Sequence, residues 1–256
     1  MTISKSRKKL SVVVITLNEE EEIGACLEGV TWADEIVVVD SGSSDRTIEI
    51  AKKYTDKVIH HDWAGFGAQK NFAVDCAMHD WVLSLDADER VTPHLREEIQ
   101  KLLSETPSCV AYRIARKNYF LGQWIRYAGW YPDYTIRLFH KKEGRFCERE
   151  VHETVQVNGV TAFLQHPLEH YTYRSLAAFH ARMGRYAALA ARQMVTEGRR
   201  FHVHDLLARP FWTFVRMYLL QQGFREGVSG LLLSSLYAYY TFFKYATLWE
   251  LQRVKG

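Results

Sequence analysis

The sequence predicts an α/β fold, a mostly parallel central sheet followed by a C-terminal helical extension. Three observations carry that reading. Short β-branched apolar runs alternate with helix-period segments over the first hundred residues, acidic residues stand directly after two of those runs, and from residue 175 onward the pattern is helical throughout.

The elements follow in order. Residues 10–17 form a β-branched run, and 20–30 read as a helix with Ile23, Leu27 and Val30 on one side. Residues 35–40 are a second apolar strand, 41–45 a turn cluster, and 47–54 helical. A short strand at 57–60, a helix at 68–78, a strand at 80–85 and a helix at 93–105, with Pro93 in its first turn, complete the repeat. Strands buried on both faces and separated by short helices imply parallel pairing with crossover helices. Ligands of such sheets bind beyond the carboxyl ends of the strands. Residues 109–173 differ: strand-like pieces at 111–116, 134–140 and 151–157 surround an aromatic loop, 118–131, read as a mixed-sheet extension carrying a lid. Helical stretches at 175–197, 206–224 and 227–252 close the chain. The expected division is a domain at 1–173 and an extension at 174–256.

The chain has 256 residues, 47% hydrophobic, 25% charged and 13% aromatic, enough for one sizeable core and unlike a disordered chain. A net charge of +3 does not indicate a nucleic-acid binder, but its distribution is uneven: residues 174–256 carry a net +8 and the remainder −5. Cys26, Cys76, Cys109 and Cys147 contain no CxxC pair, so they read as thiols in a reducing compartment. Lys5, Arg7, Lys8 and Lys9 precede an apolar run too short for a signal peptide, and four glutamates follow it. The expected location is cytoplasmic.

Asp40 ends the second strand. One of Ser44 and Asp45 caps the next helix, whereas a carboxylate at that sheet edge can accept hydrogen bonds from a ribose or a base N–H. The strand at 80–85 ends in Asp86-Ala87-Asp88-Glu89, three carboxylates that repel one another unless a cation sits among them. An oxygen-only set at a loop suits Mg²⁺ or Mn²⁺ held together with substrate phosphates. A dehydrogenase would need GxGxxG after the first strand, where "TLNEEEE" stands instead.

The segments "VVVITLNEEEEIGACLEGV", "EIVVVDSGSSDRTIEIAKKY", "GFGAQKNFA" and "WVLSLDADE" together resemble the nucleotide-sugar domain of glycosyltransferase family 2, with its Rossmann-like GT-A fold and inverting reaction. The later "WYPDYTIRLFHKK" and "VHETV" resemble its small bacterial members that add a β-linked sugar, often glucose, to the lipopolysaccharide inner core. The resemblance implies that Thr16, Leu17, Asn18 and Glu20 hold the nucleotide together with Asp40, and that Lys70 approaches the base. It implies Asp86 near the ribose and Asp88 on the metal that bridges the donor diphosphate. Inversion requires one general base. Glu153 best matches this group's pattern, with Asp133 as the second candidate. His152 is a candidate metal ligand or diphosphate contact.

Arg137 alternates with Ile136 and Leu138, so it points off an apolar strand face, where a guanidinium suits a diphosphate or an ordinary ion pair. Within the aromatic loop, Trp124 or Trp130 is expected to touch the acceptor or cover the donor. Residues 227–243 carry no charge but fall short of the ~20 apolar residues a span needs. Their aromatics and the basic excess fit docking on an anionic membrane surface, and homo-oligomerisation is the rival reading. The expected function is transfer of a hexose from a nucleotide-diphosphate sugar to a lipid-linked saccharide, at the inner face of a bacterial membrane. The alternatives are a polyprenyl-phosphate sugar transferase and a non-catalytic saccharide-binding scaffold.

Overall fold

The computed structural model describes residues 7–105, 107–147 and 154–253. Their contacts divide the chain into two compact units. One comprises residues 1–116 and 133–170, the other 117–132 and 171–256.

The first unit is built on β1 (Leu10–Thr16), β2 (Glu35–Asp40), β3 (Val58–His60) and β4 (Trp81–Asp86). β2 and β4 pair in parallel with β1 on either side, and β3 adds to β2. These strands were legible as β-branched apolar runs, and Val37, Val38 and Val39 are fully buried in consecutive order. Such runs require cover on both faces. One face packs Val12, Val14 and Leu83 with Ile23 and Leu27 of α1 (Ile23–Glu28) and Leu95 and Ile99 of α4 (Pro93–Ser104). The other packs Val13, Val37 and Val82 with Ala73 and Val74 of α3 (Phe66–Cys76). The short α2 (Thr47–Ala51) follows β2, and β5 (Glu89–Val91) follows β4.

The mixed extension inserts beside β4. β8 (Asp133–His140) runs antiparallel to β4, and β6 (Ala111–Phe120) antiparallel to β8. β12 (Leu168–Tyr173) then lies between β6 and β5, giving the order β3-β2-β1-β4-β8-β6-β12-β5. β7 (Gln123–Trp124) and β11 (Thr161–Phe163) also pair with β6, and β9 (Gly144–Phe146) forms a separate pair with β10 (Val155–Val157). The chain order changes direction between β1 and β4, the crevice position for ligands of open α/β sheets.

In the second unit, α5 (Leu176–Thr196) and α6 (Ala208–Val215) both pack on α7 (Val228–Arg253). The expected helix over 206–224 is interrupted. α6 passes into a π turn at Arg216–Leu220, and Gln222 takes a left-handed conformation with φ 57°. The chain at Gly223 and α7 approach closely: a Cβ on Gly230 would stand 1.8 Å from the Gly223 carbonyl oxygen, so only glycine fits at 230. Part of the aromatic loop is core. Phe120, Ile125, Ala128 and Trp130 are buried with Phe179, Met183 and Leu233. Glu226 fastens it, its Oε1 accepting from the backbone N–H groups of Arg126 and Tyr127 at 2.8 and 3.0 Å. Of its six aromatics, Phe120 and Trp130 are buried, and Tyr119, Trp124, Tyr127 and Tyr131 are half-buried. Among the described residues, no helix is long and apolar enough to cross a membrane.

Candidate active site

The register of β1 assembles the site. Thr16 stands opposite Asp40 of β2, and Ile15 opposite Asp86 of β4, so two carboxylates flank the end of the central strand. Asp40 is 1% exposed. Its Oδ2 accepts from the backbone N–H groups of Gly42 and Ser43 at 2.8 and 2.9 Å, and its Oδ1 from the Ser43 hydroxyl. Gly42 has φ 96°, and this left-handed turn is what folds the loop back onto the carboxylate.

The loops after β1 and β2 are joined side by side. Asn18 N donates to Ser43 Oγ and its Oδ1 accepts from Ser44 N, both at 2.8 Å. Glu19 N donates to Thr47 Oγ1 at 2.8 Å, and Glu20 N to Asp45 Oδ2 at 3.1 Å. The Glu20 carboxylate pairs with Arg46 at 3.2 Å. Leu17 is exposed, and Thr16 is buried with its hydroxyl unpartnered among the described residues. A buried hydroxyl without a partner costs about 1–3 kcal/mol, which a ligand group could recover.

Asp86 Oδ1 pairs with Lys70 Nζ at 2.8 Å and Oδ2 accepts from Arg137 Nη2. Arg137 also donates to Glu89 Oε1 at 2.6 Å, and Glu89 is fully buried. Arg116 continues the row, 3.6 Å from Glu89 and 2.6 Å from Asp133. The second oxygen of Glu89 accepts from the Asp86 backbone N–H at 3.1 Å. The acidic cluster is thus stabilised by the protein's own cations, in an alternating row Lys70–Asp86–Arg137–Glu89–Arg116–Asp133. Burial would raise the Asp86 pKa, but Arg137 and Lys70 outweigh it and hold the carboxyl well below the usual carboxylate range. Burial likewise works against the Arg137 charge, and Asp86 and Glu89 reverse it, holding the guanidinium above its ordinary value.

Arg137 is only 3% exposed, because β8 is an interior strand covered on both faces, so alternation along it does not lead to water. Its guanidinium is committed to two carboxylates, and its Nε makes no hydrogen bond among the described residues. Arg137→Met leaves the fully buried Glu89 without that cation, and loss of one partner of a buried pair typically costs about 3–5 kcal/mol. Denaturant unfolding of the variant should show a loss of that size. A loss below about 1 kcal/mol, the value of an exposed pair, would contradict the row's structural role.

Asp88 is 15% exposed at the side chain, and its Oδ2 lies 3.4 Å from His170 Nε2. β12 brings His170 opposite Glu89 of β5. Among the described residues, no three His, Cys, Asp or Glu side chains converge to cage a metal. The Asp88 carboxylate nevertheless fits Mg²⁺ or Mn²⁺, which are held by one or two carboxylates and complete their shell with phosphate oxygens and water. His152 and Glu153 lie outside the described residues. Trp130 sits in the core of the second unit, edge-on to Phe120 and to Tyr237. The four cysteines are free, and burial pushes the Cys26 thiol far above its ordinary pKa.

Glu89, Arg116 and His170 were not singled out from the sequence. The available signal was the acidic run itself, whose repulsion demands cations, and a histidine at the alternating buried positions of "LEHYTY".

A family model described as glycosyl transferase family 2 matches residues 11–171. The chain is 30% identical to the lipopolysaccharide core biosynthesis glycosyltransferase LpsC of Rhizobium meliloti, over 96% of this chain and 94% of that protein. It is also 30% identical to an uncharacterized glycosyltransferase of Rickettsia typhi, over 95% and 88% of the two chains. Among solved structures, glucosyl-3-phosphoglycerate synthase from Mycobacterium tuberculosis with phosphoglyceric acid aligns with a TM-score of 0.51 at 15% identity, covering 75% of this chain and 81% of that one.

Proposed function

From the premise that the chain belongs to glycosyl transferase family 2 and is a glycosyltransferase of GT-A fold, we propose that it moves a hexose, with inversion, from a nucleotide-diphosphate sugar to a lipid-linked saccharide of the lipopolysaccharide-core kind. The observation that carries this reading is the register that sets Asp40 and Asp86 on either side of the end of β1, with Asp88 two residues beyond and beside His170.

In this reading the joined loops 17–20 and 43–47 form the floor for the nucleotide. The buried Thr16 hydroxyl and the Asp40 carboxylate face its ribose and base. Lys70 and Arg137 fix both oxygens of Asp86, so that this carboxylate presents one orientation to the ribose. Asp88, with His170 or His152, would hold Mg²⁺ or Mn²⁺. That ion would supply Lewis-acid stabilisation of the departing nucleoside diphosphate. Glu153 is the proposed general base. Arg116 already engages Asp133 Oδ2 with two hydrogen bonds, at 3.0 and 2.6 Å, which makes Asp133 the second choice.

The acceptor class comes from the named role of LpsC and from the surface of the helical unit. There Phe211, Trp212, Leu219, Leu220 and Phe224 are each at least half exposed, close in sequence to Arg209, Arg216 and Arg225. Exposed apolar side chains flanked by cations suit an anionic bilayer surface, to which each Lys or Arg adds about 1 kcal/mol.

The test is transfer from a panel of α-linked nucleotide hexoses with Mn²⁺, to a lipid-linked core saccharide and to its soluble fragment. The expected product carries a β linkage, with faster transfer to the lipid-linked acceptor. A retained α linkage would overturn inversion. Equal rates on both acceptors would remove the lipid from the reading, and transfer only to a polyprenyl phosphate would replace it.

A further inference from the structure

Three cations of the helical unit gather on one aromatic ring. Arg199 Cζ, Arg209 Cζ and Lys244 Nζ lie 5.4, 5.1 and 5.2 Å from the centroid of Tyr245. No two of them can be farther apart than the sum of two such distances, so they repel. A guanidinium stacked on tyrosine is ordinary packing. A third cation on the same ring is not explained by it.

One carboxylate stands beside two of the three. Asp205 is 1% exposed, and its Oδ1 accepts from Arg209 Nε and lies 3.9 Å from Arg199 Nη2 and from His204 Nε2. Its Oδ2 is buried with no partner among the described residues, so no other cation completes the pairing. Among the described residues, Lys244 has no carboxylate partner. It is half-buried in the middle of α7, and its contacts are the rings of Tyr240 and Tyr245. Burial, then the nearby Arg199 and Arg209, push its ammonium below the ordinary lysine range. A cation half withdrawn from water and facing two others is in a costly state that an anion would relieve.

The cluster is open to a ligand, since the Arg199 and Arg209 side chains are 39% and 46% exposed. The side chains beside it in sequence are exposed and apolar: Val203 and Leu207 at 75%, Trp249 at 44%.

We propose that Arg199, Arg209 and Lys244 form a binding site for a phosphate group. Two guanidinium forks and one ammonium supply the donors that the oxygens of a phosphate ester accept, and Asp205, bonded to Arg209 Nε, leaves positive charge in excess. The apolar neighbours suit a phosphate carried at the polar end of an amphiphile. A free phosphate offers the same oxygens without the chain. The site does not depend on the transfer reaction.

The experiment uses the full chain without donor. Titration calorimetry is run with inorganic phosphate and with dioctanoyl phosphatidic acid below its micelle concentration, and flotation with phosphatidylcholine vesicles with and without phosphatidic acid. Both ligands should bind, the lipid more tightly. Lys244→Gln and, separately, Arg199→Gln should weaken each by about tenfold, the value of one charge-assisted hydrogen bond. Binding of the lipid and its vesicles alone identifies a membrane phosphate, and binding of inorganic phosphate alone identifies a soluble one. No binding of either, or binding unchanged in both variants, overturns the site. Transfer activity is measured in parallel on the same variants with a soluble acceptor. Phosphate binding lost while transfer persists is the expected pattern, and transfer absent from every protein, wild type included, bears on the enzyme reading alone.

Discussion

Asp88→Asn is expected to lower kcat by about 10³-fold or more while leaving the melting temperature at or above that of the wild type. The rate effect follows from removing the carboxylate proposed to bind the ion that neutralises the leaving diphosphate, a term of that order in other transfer reactions. The stability effect has the opposite sign because Asp88 shares one short turn with Asp86 and Glu89, and its neutral isostere removes a like charge. Its carboxylate lies 3.4 Å from the imidazole of His170. Wild-type protein in EDTA should match the variant, and full activity in EDTA would sink the metal assignment. Manganese binding by His170→Ala and His152→Ala, read by electron paramagnetic resonance, identifies which imidazole shares the ion.

Glu153→Gln should lower kcat by about 10²–10⁴-fold with little change in donor affinity, as loss of a general base does. Gln keeps the shape and removes the proton acceptor. Asp133→Asn should instead act through structure, because Asp133 terminates the buried ion-pair row through Arg116. Its signature is a lower melting temperature with a smaller fall in kcat. If Asp133→Asn is dead at unchanged stability and Glu153→Gln is active, the base is Asp133. If both stay active, an acceptor that arrives already ionised, such as a polyprenyl phosphate, becomes the better reading.

The parallel half of the fold was legible because β1, β2 and β4 are buried on both faces and therefore continuous in composition. Asp40 and Asp86 were visible for the same reason, as the first charges after such runs. The partners of Asp86 were not. Arg137 reaches Asp86, and Arg116 reaches Glu89, only because β8 and β6 insert beside β4, and no local pattern states where an antiparallel strand will add. Period-two alternation was also a poor guide to Arg137, since it distinguishes inside from outside only when one face meets water. Which rings of the aromatic loop 118–131 fill a core was not legible, because composition cannot tell rings that cover a ligand from rings that fill a core. Burial of Phe120 and Trp130 decides that in favour of core. The break after α6 was likewise hidden, as was the close approach of Gly223 and Gly230.

The joined loops after β1 and β2 have a thermodynamic corollary. Their backbone N–H groups at Asn18, Glu19, Glu20, Gly42, Ser43 and Ser44 all donate to side chains of the same two loops. A segment without regular structure has in this way already lost its conformational entropy during folding. A ligand arriving there orders little, so its association is expected to be enthalpy-led, with a small heat-capacity change and amide exchange in residues 18–20 and 42–44 that is slow before binding and little altered after it. The shape of the floor is then inherited from folding, and each of the contributing hydroxyls and carboxylates sets it before any sugar is present.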